Sequence, residues 1–281
     1  MTTRRHHLAA LAALTLLPTA SRARPSDASN AGDAPAARRA LLLGQTGGPH
    51  AAVDEAIRQH LTRRGWAVTL AGQDAAPQAA QGMALVIISS TVAAKNVHPG
   101  WRQLAVPLLT WENDLLDDLA MTGKRSGADY GEAEKERYLW LVNAPHPLSA
   151  GLPAGAANVY VKQAPMSWGK PGLGAATIAT LYGQPEKAAL FGYEKGATMD
   201  YETLAPARRV MFFLDNASFT NLSEAGLRLF DAAVDWAAGR SRTRKNGLQA
   251  NLAARANQKK ERIQRAKISR HAVLTRTPCY G

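Results

Sequence analysis

The sequence predicts an α/β domain built on a mostly parallel sheet, with extra hairpin strands in its second half. Three observations carry this. Short apolar runs alternate with a helical pattern through the first half. One run, Met83-Ala84-Leu85-Val86-Ile87-Ile88, is apolar at every position, as a strand covered on both faces must be. The second half holds closely spaced strand-like runs broken by turn residues.

Taken in order, Ala40-Leu41-Leu42-Leu43 reads as the first strand. Gly44-Gln45-Thr46-Gly47-Gly48-Pro49 follows as a loop, with glycines suited to a tight connection or to an anion cradle at a helix N-terminus. Val53, Ala56, Ile57 and Leu61 then recur at helical spacing, and Arg64-Gly65 is the stop. Residues 67–70 form the second strand, 83–88 the third and 106–110 the fourth, with Pro107 near its start. Residues 112–120 are expected to be a helix with Leu115, Leu116 and Leu119 on its apolar side. Further strands are expected at 138–142, 158–162, 175–181, 188–193 and 208–214. Gly183-Gln184-Pro185-Glu186 is expected to turn a hairpin. Ser223 caps a final helix whose apolar face runs from Leu227 to Ala237, and Gly239 ends it.

Charge divides the chain differently. The formal net charge of +12 sits at the ends. Residues 241–281 hold eleven Lys or Arg and one acid, Glu261. Residues 1–23 hold three Arg and no acid, whereas 24–240 hold twenty basic and 21 acidic residues. The body therefore offers no electrostatic reason to bind nucleic acid. Residues 1–23 follow the pattern of a secretory signal: Arg4-Arg5, an apolar run over 8–17, then Pro18 and small residues at Ser21 and Ala23. That run is too short to span a bilayer. The expectation is a signal peptide over 1–23, a linker over 24–37, one domain over 38–240 and a basic tail over 241–281. The mature protein is then periplasmic or secreted. Sparse apolar positions in the tail (Leu248, Leu252, Ala256, Ile263) suit a solvated extension or a weak basic helix able to touch an anionic surface.

Several chemistries have no support. There is no G-x-S-x-G elbow, no H-E-x-x-H and no Walker loop. No two histidines of the body are spaced as a metal pair on one helix, so neither a metal nor a cofactor is expected.

Five segments in order carry a family resemblance. They are Leu85-Val86-Ile87-Ile88-Ser89-Ser90-Thr91; Val106-Pro107-Leu108-Leu109-Thr110-Trp111-Glu112 with Asp118-Leu119-Ala120-Met121-Thr122-Gly123; His146-Pro147-Leu148-Ser149-Ala150-Gly151-Leu152; Arg208-Arg209-Val210-Met211-Phe212-Phe213-Leu214; and Ala233-Val234-Asp235-Trp236-Ala237-Ala238-Gly239. The chain resembles the class I glutamine amidotransferase-like, flavodoxin-like domains, in particular the ThuA-like group. The resemblance implies a three-layer flavodoxin-like domain and a carbohydrate-related context. It departs at the nucleophile: the one cysteine, Cys279, lies in the tail, so thiolate attack on glutamine has no agent in the domain.

Ligands of open α/β sheets bind beyond the carboxyl ends of the strands. That rule selects the loop at 44–48, Ser89, Ser90, Thr91, Trp111, Glu112, His146, Asp215 and Asn216, and Trp168 adds a second aromatic platform. Glu112 and His146 are the candidate acid/base groups. Ser89, Ser90, Trp111, Trp168 and Asp215 are the candidate ligand-binding residues, the tryptophans as stacking faces. Each has a plainer use: serine in a strand-end turn, tryptophan in the core, glutamate in a first helical turn, histidine bonded to backbone. Three functions follow: a secreted module binding a carbohydrate or related polar ligand, a carbohydrate-modifying hydrolase using Glu112 and His146, or a structural interaction domain.

Overall fold

The computed structural model describes residues 38–239. The expected signal peptide, linker and basic tail lie outside the described residues.

The first strands form where the apolar runs predict them: β1 (Arg38–Gly44), β2 (Trp66–Gly72), β3 (Leu85–Ile88) and β4 (Leu108–Thr110). With β11 (Arg209–Met211) they pair in parallel, in the order β2-β1-β3-β4-β11. Counting only these five, the order is 2-1-3-4-5, that of flavodoxin-like sheets. β10 (Gln184–Tyr193) continues the sheet antiparallel to β11, followed by β9 (Ala176–Leu181), β6 (Tyr138–Leu141) and β7 (Gly155–Asn158). β8 (Ala164–Gly169) branches from β10 and pairs β5 (Tyr130–Glu136). The α/β class, the parallel core and the antiparallel additions are as expected.

Side chains alternate across the parallel strands, as period two requires. Ala40, Leu42, Leu85, Ile87 and Leu109 face one core. Helices α1 (Ala51–Arg63) and α2 (Glu224–Ala237) both cover that face, bringing Ile57, Leu61, Leu229, Phe230 and Ala233. Leu41, Leu43, Val86, Ile88, Leu108 and Met211 face a second core. That side is closed by short 3-10 turns carrying Ala80, Trp101 and Leu115. Each fully buried side chain of leucine or phenylalanine size contributes about 1.5–3 kcal/mol.

The helix expected over 112–120 is instead a 3-10 turn at Asn113–Leu115 followed by further turns. Asn113, Asp114, Asp117 and Asp118 are residues whose side chains compete for local backbone bonds, and Ala120 takes φ +56°. Leu115, Leu116 and Leu119 are nevertheless buried as expected. The strand expected at 158–162 ends at Asn158, and Val159 and Tyr160 are a buried loop. The expected turn at 183–186 tightens to Tyr182-Gly183, with Gln184 already paired to Leu181 and Gly183 at φ +75°. β5 and β8 have no counterpart among the strands expected from sequence.

α2 starts as predicted. Ser223 Oγ accepts from Gly226 N at 3.1 Å and donates to Asn158 O at 2.7 Å. α1 is tied to α2 by His60 Nε2–Asp231 Oδ1 at 2.7 Å and Arg64–Asp235 at 2.9 Å. Arg209 is fully buried at the start of β11 and donates to the carbonyls of Leu104 (2.6 Å) and Val106 (3.0 Å), among others.

Candidate functional site

Parallel strands deliver their carboxyl ends to one edge, and a cavity of about 490 Å³ opens there. The segment after β3 supplies Ser90 and Lys95, and that after β4 supplies Glu112, Asn113 and Asp114. The segment after β11 adds Asp215 and Asn216, and β5 adds Glu132.

Glu112 is placed by its own strand. Thr110 Oγ1 donates to Ile88 O at 3.0 Å and accepts from Glu112 N at 3.1 Å, pinning the chain where it leaves β4. The Glu112 carboxyl then accepts from Asp114 N at 3.0 Å and caps the 3-10 turn. The side chain is only 6% exposed. Burial, with Asp114, Asp215 and Glu132 nearby, pushes its pKa up to about 8. At neutral pH it is a carboxylic acid, able to donate as well as accept. Burial and neighbouring carboxylates, Asp215 and Asp114 among them, also raise Glu132. The backbone at Glu112 is ordinary extended chain (φ −77°, ψ 102°), not a strained nucleophile elbow.

Ser90 is 9% exposed, and its Oγ finds no hydrogen-bond partner among the described residues; Asn216 Oδ1 is likewise buried and unpaired. Asp215 is held by a reciprocal turn: its N–H donates to Ser218 Oγ at 2.7 Å, and its carbonyl accepts from that hydroxyl at 3.1 Å. Among the described residues, no three His, Cys, Asp or Glu side chains converge to hold a metal ion.

Of the residues selected from sequence, Ser90, Glu112, Asp215 and Asn216 meet at this cavity. The others do not. Trp111 is 1% exposed and turns into the core against Phe230, ring centroids 6.1 Å apart. Trp168 is 3% exposed within β8, where Lys187 Nζ stands 4.8 Å over its ring. Neither is a stacking face, because the strand each occupies or leaves is covered on that side. Ser89 Oγ accepts from Thr91 N and belongs to a buried knot with Asp54 and Thr91, whose hydroxyl donates to Asp54 Oδ2 at 2.6 Å.

That knot also removes the anion cradle. The Asp54 carboxylate lies against Gly44, where an added Cβ would meet it, so a negative group already sits beneath the loop. Gly44 is required by this close approach.

His146 lies at the opposite edge. It caps the turn at Pro147–Ser149 by accepting from Leu148 N at 3.2 Å, and its ring meets Trp236 at 5.5 Å. Its charged neighbours, Glu194 and Arg208, flank the start of β11, while Glu112 follows the end of β4 alongside. Burial lowers its pKa. The expected pairing of Glu112 with His146 as acid and base is therefore ruled out by the sheet between them.

The sequence reading missed Asn113, Asp114, Glu132 and Lys95. Asn113 and Asp114 flank a strand end already selected, so the strand-end rule extended by one or two residues would have found them. Glu132 arrives from β5, which carries no apolar run to announce it. Three exposed aromatics, Tyr138, Trp140 (46% exposed) and Tyr182, cluster instead on the antiparallel part with centroids about 6 Å apart.

No family model matches this chain, and no curated protein is found similar to it. Among solved structures it is similar to a GMP synthase-like protein from Thermoplasma acidophilum (10% identity, TM-score 0.45, covering 72% of this chain and 95% of that one). A ThuA-like protein from Parabacteroides merdae matches with 13% identity and TM-score 0.47, over 73% and 91% of the two chains. The mmIFT52 N-terminal domain matches with 11% identity and TM-score 0.44, over 71% and 97%. The fold assignment rests on the strand order itself.

Proposed function

We propose that this chain is an exported ligand-binding domain of the ThuA-like, glutamine amidotransferase-like kind, without glutaminase activity, whose strand-end cavity holds a carbohydrate or related polar ligand. The observation that carries this is the cavity itself. Its volume of about 490 Å³ falls in the range of small-molecule sites. It lies where open α/β sheets bind ligands. Its wall keeps Ser90 Oγ and Asn216 Oδ1 buried and unpaired, a cost that a hydroxyl-rich ligand would relieve. A cavity of this kind favours a binding role over a purely structural one. The absence of any cysteine from 38–240 argues against glutaminase chemistry.

The test is calorimetry and ligand-observed NMR with a panel of mono- and oligosaccharides. Binding is expected, weakened at least about tenfold by Asp215→Asn with the fold intact. A folded protein that responds to no sugar defeats the proposal. Export is tested separately by cell fractionation and N-terminal sequencing, with a mature chain beginning near residue 24 expected.

A further inference from the structure

The cavity's lining speaks to the charge of its occupant. Acids reach it from three separate parts of the chain: Glu112 and Asp114 after β4, Glu132 on β5 and Asp215 after β11. Lys95 is the one basic residue in that lining. The two buried, unpaired polar atoms point the same way. Asn216 Oδ1 is an acceptor, and Ser90 Oγ, 9% exposed, has two lone pairs to offer. A wall so rich in acceptors and negative charge fits a guest that brings donors and a positive charge. An anionic guest would meet like charge from three directions, and a neutral one would leave the carboxylates unmatched.

We propose that the cavity selects a cationic, donor-rich ligand, a polyhydroxylated amine of the amino-sugar class, whose ammonium sits among Glu112, Glu132 and Asp215 while its hydroxyls meet Ser90 and Asn216. This rests on the polar-ligand reading of the same cavity and narrows it. One consequence concerns a proton. In the empty site Glu112 holds its proton, because burial and the neighbouring carboxylates oppose its charge. An ammonium beside it reverses that balance. The Glu112 carboxyl then loses its proton to solvent, and the carboxylate left behind pairs with the ammonium, which keeps all its own protons.

The experiment is isothermal titration calorimetry of the full chain near neutral pH with D-glucosamine, D-glucose and D-glucuronate, in two buffers of different ionisation heat. Glucosamine is expected to bind about tenfold or more tighter than glucose, with glucuronate weakest. Its affinity should fall as salt rises. Its binding heat should depend on the buffer, reporting release of up to one proton, and Glu112→Gln should abolish that release. Equal affinities for glucosamine and glucose, with no salt dependence and no proton release, overturn the cationic ligand and leave the polar-ligand reading standing. No binding by any of the three, nor by the wider sugar panel, overturns both. The salt dependence and proton count are read on the unmodified protein, so the result does not hang on how the variant folds.

Discussion

The two edges of the parallel sheet handle buried polar groups in opposite ways. At the amino edge the buried charge is answered. Arg209, fully enclosed, spreads both terminal nitrogens of its guanidinium over backbone carbonyls from the segments before β4 and β11, with its Nε alone left without a partner among the described residues. Arg208 forks onto Glu194 at 2.6 and 3.1 Å and stands 4.6 Å over the Trp236 ring. At the carboxyl edge the polar groups are gathered but left wanting: Glu112 is driven to neutrality, and Ser90 and Asn216 keep unpaired atoms. A buried polar group that finds its partners inside the chain serves stability. One held without partners beside an open cavity is placed for something from outside.

That contrast can be broken at several points. The largest effect belongs to the amino edge. Arg209→Leu strips several buried carbonyls of their donor and should cost about 3–4 kcal/mol, read as a lower urea midpoint. A loss under about 1 kcal/mol would mean that those carbonyls are satisfied without it.

The next effect tests the carboxyl edge through pH. The folded chain holds the Glu112 proton to about pH 8, against an ordinary value of 4.5. Folded protein thus binds this proton more tightly than unfolded chain does. The contribution is complete below about pH 4.5 and is lost as pH rises through about 8. The total is on the order of a few kcal/mol. Glu112→Gln should flatten the decline in urea midpoint between mildly acidic and alkaline solution and be the more stable protein at alkaline pH. Parallel pH curves for the two proteins would show that Glu112 ionises freely.

The smallest effect sharpens the comparison. His146→Ala, at the amino edge, removes a turn cap and a ring contact and should cost about 1 kcal/mol, with sugar affinity unchanged. A loss of affinity there would join the two edges functionally.

Much of this is legible in the sequence, and the reason differs by element. β1 and β3 announce themselves because full burial demands unbroken apolar runs, and α2 does so by an apolar face at helical spacing that Ser223 and Gly239 punctuate with chemistry of their own. β5 reads as Tyr-Gly-Glu-Ala-Glu-Lys-Glu, and a strand half open to water carries no such demand. The turn after β4 passes for a helix because three leucines at helical spacing also suit a chain folded back in 3-10 turns, and the local bonding of Asn113 and Asp114 decides between them. Half of the site is legible for a similar reason. Strand ends can be located from strands, so Ser90, Glu112 and Asp215 are found. Which way a tryptophan turns depends on what covers it, and Trp111 and Trp168 turn toward the covered side.

The pairing of β4 with β11 sets Leu108 beside Arg209. Between these neighbours about a hundred residues leave the sheet, build the whole antiparallel part and return. Closing an excursion of that length costs about 4 kcal/mol in chain entropy beyond a constant, so contacts across this seam come late compared with hairpins such as β9–β10. The cavity opens at the far end of the same seam, with Glu112 on one bank and Asp215 on the other. A guest that grips both banks acts as a clasp on the joint where the two halves of the sheet are sewn together.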